Sequence, residues 1–240
     1  MHIPDGFLDL WVAGLFWLGS GVAVGVATRR ARRVLGDERT PLLGVVAAGV
    51  FAAQMLNWPV PGGTSAHFVG GAFAGILLGP SLGVLAMTAV VTIQALVFGD
   101  GGIIALGGNL FAMAVVDVLV GYALFRALRG VHETGAAFVA GWGAITVSAL
   151  AVGVGVGLSS AFAYDLGATV PIMVAGHALL GLVEGAITAA VYGYLATARP
   201  GLVLGRVEDD APSPEAGLCT PFRPSRGFGA GSSRSSCSSC

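Results

Sequence analysis

Seven apolar runs follow one another through the first 200 of the chain's 240 residues, at 10–28, 41–57, 67–79, 80–98, 103–125, 135–162 and 170–198. A helix that crosses a bilayer needs roughly 20 mostly apolar residues, since lipid offers its backbone no hydrogen bonds. The third run is short. Its end is set by Gly79-Pro80, because proline disfavours helix in the residue before it, and it reads as two short elements or a tilted half-span. Only 10% of the residues are charged while 55% are hydrophobic, against about 25% charged in a soluble domain. Such a chain cannot cover a globule of its size with wettable surface. The expected fold is an all-α polytopic membrane protein of about seven transmembrane helices. Residues 1–200 form the membrane domain and 201–240 a cytoplasmic tail, whose Pro, Ser, Gly and Arg beyond Glu208 predict disorder.

Arginine placement orients the spans. Alternating sides through seven crossings puts Arg29, Arg30, Arg32, Arg33, Arg39, Arg126, Arg129, Arg199 and Arg206 on one face. The opposite face, residues 1–9, 58–66, 99–102 and 163–169, holds no Arg. Cytoplasmic loops carry the positive charge, so the amino terminus is expected outside and the carboxyl terminus inside. No charged n-region or cleavage site precedes the first run, so Met1 is expected to remain at the outer face.

Every one of the 12 basic residues is Arg. Without Lys the chain has no Walker site and no Schiff-base amine. A net charge of -1 argues against nucleic-acid binding. Cys219, Cys237 and Cys240 all lie in the tail and read as free thiols rather than a disulfide framework.

Polar side chains inside the apolar body are costly and therefore informative. They are His67, Asn109, Asp117, His177 and Glu184, with Gln54 and Gln94 as weaker cases. His177 and Glu184 share one helical face and suit either a substrate path or interhelical hydrogen bonds. Gly21/Gly25, Gly71/Gly75/Gly79 and Gly153/Gly157 have the four-residue spacing that lets helices approach closely. A helix starting at His67 would place that imidazole at the end of the Gly71-Gly75-Gly79 face.

The amino end carries the strongest chemical signal. A free α-amine, the Met1–His2 amide nitrogen and the His2 imidazole can close fused five- and six-membered chelate rings in one plane. A fourth donor completes a square, and His67, after the Pro59–Ser65 segment, is sterically suited to supply it. Square-planar nitrogen coordination favours Ni(II) or Cu(II).

The opening Met1-His2-Ile3-Pro4-Asp5-Gly6-Phe7-Leu8 closely resembles the start of CbiM/NikM proteins. So do Pro59-Val60-Pro61-Gly62-Gly63-Thr64-Ser65-Ala66-His67, Leu78-Gly79-Pro80, Phe98-Gly99-Asp100-Gly101-Gly102 and Gly176–Gly185. These are substrate-binding membrane components of energy-coupling factor transporters for cobalt and nickel. The resemblance covers roughly residues 1–200 and not the tail. It implies seven helices, with the amino end dipping into the helix core from outside. It implies metal ligation by Met1, His2 and His67, with His177 and Glu184 as weaker candidates. Also implied are a scaffold membrane subunit, ATPase subunits and often a small accessory membrane subunit. The reading is then a cell-membrane importer subunit for Ni2+ or Co2+, the latter tied to cobalamin synthesis, with the ion as cargo and no cofactor. An ATP-independent channel or secondary carrier explains the spans equally well. An intramembrane enzyme using His67 or His177 is disfavoured, because no GxSxG or HExxH motif occurs.

Overall fold

The computed structural model describes residues 1–36 and 39–203, so most of the proposed 201–240 tail lies outside the described residues. Among the described residues eight α-helices form: α1 (Leu10–Val34), α2 (Arg39–Gln54), α3 (Gly71–Leu78), α4 (Pro80–Ile93), α5 (Leu106–Asn109), α6 (Asp117–Leu128), α7 (Glu133–Gly157) and α8 (Leu166–Ala198). π-Helical turns at Gln94–Phe98 and Leu110–Val116 extend α4 and join α5 to α6. With these joins, the helices form seven units that match the seven apolar runs. Five of the units are long and apolar enough to cross a membrane.

The third unit is short, as its run suggests, but it is not a helix that starts at His67. The 67–79 run does not form one helix from His67. His67 instead ends a two-stranded antiparallel hairpin of β1 (Asn57–Pro59) and β2 (Ser65–His67), in which Asn57 pairs with His67. Gly70 then adopts φ 76°, a left-handed turn that helix cannot pass through, and α3 begins only at Gly71. Its eight residues rise about 12 Å, less than half of a hydrocarbon core of about 30 Å. His67 therefore does not share the α3 glycine face.

Non-helical backbone at membrane depth must be satisfied by protein. The polar residues of neighbouring helices do this. Glu184 of α8 accepts the Val69 and Gly70 N–H groups at 2.9 and 2.8 Å. Asp117 of α6 accepts Gly71 N–H at 2.9 Å, and the Gln54 amide of α2 donates to the Val69 carbonyl. Three buried side chains from three helices thus service one break.

Small residues set the close approaches. A Cβ on Gly121 would lie 2.4 Å from that of Ala72, so α6 and α3 touch backbone to backbone. Gly153 and Gly157 sit against α8 residues Val170, Met173 and Leu166. Gly21 and Gly25 face open space in this chain.

The Arg-free segments meet at one end of the bundle. The Asp5 carboxylate accepts the amides of Ile103, Ile104 and Ala105. Asp9 leaves the N-terminus of α1 uncapped and instead accepts the Ser160 and Ala161 amides before α8. Arg30 and Arg33 lie at the other end, beside Leu78 and Pro80.

Candidate metal-binding site

The first nine residues form a strap that enters the bundle from this Arg-free end. Phe7 packs against Phe162 in a tilted pair with ring centroids 4.9 Å apart, and Gly6 turns the chain at φ 89°. Ile3 is then gripped on both sides of its backbone. Its N–H donates to Asn109 Oδ1 at 2.7 Å, and its carbonyl accepts Asn109 Nδ2 at 3.1 Å and Gly102 N–H at 2.9 Å. Asn109 thus acts as one more strand partner for a segment that has no sheet.

That grip carries Met1 and His2 into the interior. The terminal amine and the His2 N–H both donate to Ser65 Oγ, at 3.2 and 3.1 Å. Two main-chain nitrogens thereby converge on one point, two residues before His67. The His2 and His67 rings stack with centroids 4.8 Å apart and planes 22° from parallel. Met1, His2 and His67 are brought together although 64 residues separate Met1 from Ser65 in the chain.

The free nitrogens define what this group can do. His67 Nδ1 lies 2.7 Å from the Phe68 carbonyl. A ring nitrogen beside a carbonyl carries the proton, which leaves His67 Nε2 with its lone pair. That Nε2 is buried without a hydrogen-bond partner, as are both ring nitrogens of His2. His2 Nε2 lies 3.5 Å from Asp100 Oδ2. Burial pulls the Met1 amine down from 8.0 to about 4, against the attraction of Asp100 and Glu184. Burial, reinforced by the neighbouring amine, takes His2 from 6.5 to about 3. Both groups are neutral donors at physiological pH. Burial moves the Asp100 carboxyl up from its ordinary range, opposed by the amine and the Asn57 amide.

Gly101 completes the wall. At φ 95° it holds a conformation other residues rarely adopt, and a Cβ there would fall 3.2 Å from His2 Nδ1 and 2.7 Å from Asn109 Nδ2. Outside the wall, a vestibule of about 640 Å³ opens between strap, hairpin and the 99–102 loop.

His177 lies on α8 with Nδ1 2.8 Å from the Met173 carbonyl and Nε2 buried without a partner. Glu184 is occupied by the broken helix. Among the described residues no group of three His, Cys, Asp or Glu side chains could hold a metal ion. The main-chain nitrogens gathered at Ser65 add donors that such a side-chain group would lack. Asp5, Ser65 and Asp100, which shape the site, were visible in the sequence only as members of the family-like blocks, without individual roles, because their partners are remote.

The family model described as "Cobalt uptake substrate-specific transmembrane region", CbiM, matches residues 2–202. A Haloquadratum walsbyi protein provisionally named for metal transport is 75% identical over 91% of this chain and 100% of its own length. A provisionally named fused nickel transport protein of Archaeoglobus fulgidus is 57% identical over 85% of this chain and 68% of its own. The crystal structure of a transition metal transporter superposes with TM-score 0.81 at 31% identity, covering 87% of this chain and 98% of that one.

Proposed function

Because the chain belongs to the CbiM family of multi-pass membrane transport components for cobalt and nickel, and so to transporters rather than enzymes, we propose that it captures one divalent ion, Ni2+ or Co2+, in its strap. The Met1 amine, the Met1–His2 amide nitrogen and His2 Nδ1 form the fused chelate rings. His67 Nε2 closes the square. The observation that carries this reading is the convergence of both main-chain nitrogens on Ser65 Oγ beside the stacked imidazoles. Planar nitrogen ligation suits Ni(II), and Co(II) can use the same donors with one more ligand. The amide must lose its proton to coordinate, so binding releases protons.

Capture takes place at the outer face, given the Arg-free end on which the vestibule opens. Delivery inward belongs to an energy-coupling factor assembly, in which this subunit works with a scaffold membrane subunit, ATPase subunits and a small accessory membrane subunit. The absence of Lys supports that division of labour, since a Walker site needs one.

Calorimetry with Ni(II) tests the site. A chain extended by one residue before Met1 has no terminal amine at the chelate and should show no binding. An affinity equal to that of the unextended protein refutes the reading. Transport in a strain that lacks the ATPase subunits tests the assembly, and undiminished uptake there would point to a channel or carrier.

A further inference from the structure

Four carboxylates lie on the Arg-free face: Asp5, Asp9, Asp100 and Asp165. Three are committed to the backbone. Asp5 receives three amides just ahead of α5. Asp9 receives two before α8, and Asp165 caps α8 through Ala168 N–H at 2.9 Å. Asp100 receives no backbone amide among the described residues. Its carboxylate accepts one bond from the neutral Asn57 side chain at 3.1 Å and lies 3.5 Å from His2 Nε2. It also lines the vestibule that leads to His2.

The chelate fixes what that second contact means. A six-membered ring through the His2 amide nitrogen can close only at Nδ1, because Nε2 points away from its own backbone. The proton of a neutral His2 with Nδ1 committed to an ion sits on Nε2, facing Asp100. Asn57, which pairs with His67 across the hairpin, holds the carboxylate there. We infer that Asp100 is the positioning and landing residue of the site: its carboxylate draws the hydrated divalent cation into the vestibule and fixes the His2 ring with Nδ1 inward. This inference rests on the nitrogen chelate proposed above.

Two effects should follow. A carboxylate behind a metal-bound imidazole typically strengthens binding by about 10- to 100-fold. A fixed charge at the mouth of a cleft speeds association in a way that salt abolishes. The test is stopped-flow mixing of Ni(II) with the full chain in detergent, at low and high ionic strength. Asp100→Asn keeps an oxygen that can accept from Asn57 but removes the charge. Its association rate should fall about tenfold at low salt and lose most of its salt dependence. Asp100→Glu should recover most of the rate. The bound-nickel absorption bands should keep their position in both variants. Rates and salt dependence equal to the unmodified protein in Asp100→Asn overturn the inference while the chelate stands. A Glu variant as slow as the Asn variant also overturns it, since charge is then not the cause. Failure of the unmodified protein to bind Ni(II) removes the chelate itself, and Asp100's role with it.

Discussion

Met1, His2 and Ile3 are 0%, 3% and 0% exposed, yet none of them belongs to an apolar run. The longest helix, α8, comes from an apolar run, and there Leu179 is 71% and Tyr194 67% exposed. Burial and hydropathy run in opposite directions in these two regions. In water, apolar side chains are driven inward. In lipid the tails are as apolar as leucine, so large aliphatic side chains can face outward without cost. The interior then belongs to whatever packs most closely or hydrogen-bonds most completely. For the strap that is side-chain amide and hydroxyl chemistry. For α8 it is the small or polar row His177, Gly181, Glu184, Gly185 and Thr188, all buried.

The sharpest way to break this contrast is to remove the strap's grip. Asn109→Ala deletes two buried hydrogen bonds to Ile3 and leaves its N–H unpaired, at a cost of about 2–4 kcal/mol. The Ile3 amide should lose its protection in hydrogen exchange, and nickel affinity should fall at least about tenfold. Affinity within twofold of the parent would show that the strap docks without Asn109.

Acid should loosen the same region next. The docked amine has its pKa lowered from 8.0 to about 4, so the free strap binds more protons than the docked one. Docking is then strongest above pH 8 and weakens as pH falls toward 4, by on the order of 2 kcal/mol at pH 6.5. His2, lowered from 6.5 to about 3, adds to the loss only below about 6.5. Hydrogen exchange along a pH series checks the sign. A strap more protected in acid would contradict it.

Helix packing should respond less. Gly121→Ala drives a methyl into Ala72 and should cost about 1–3 kcal/mol, seen as a lower Tm in detergent. Leu179→Ala on the lipid face should change stability by less than about 0.5 kcal/mol. A larger loss for Leu179 than for Gly121 would reverse the lesson drawn from the two regions.

The spans were legible because each is a local run, and the amino-terminal candidate because its chemistry sits in two adjacent residues, which the fold brings beside His67. The shortness of the third element was legible too, but the place of the break before α3 was not. Its signal is Gly70 at positive φ together with acceptors on Asp117 and Glu184, 46 and 114 residues away. A continuous apolar stretch from 67 to 79 hides such a break, since hydropathy is blind to where backbone hydrogen bonds end. The same distance concealed Asp5, whose amide partners lie 98 to 100 residues on. Glu184 was a weaker metal candidate and Asp117 a costly polar residue in the apolar body, and the fold gives each a main-chain duty.

Ser65 holds the two nitrogens of the strap on a single oxygen. An incoming cation would replace one hydroxyl and find its donors already gathered. The entropy of assembling them is lost when the chain folds, not when the ion binds. A cradle gathered in this way would discriminate among ions by the geometry they demand, because it would have little freedom to remould itself around one that prefers another shape.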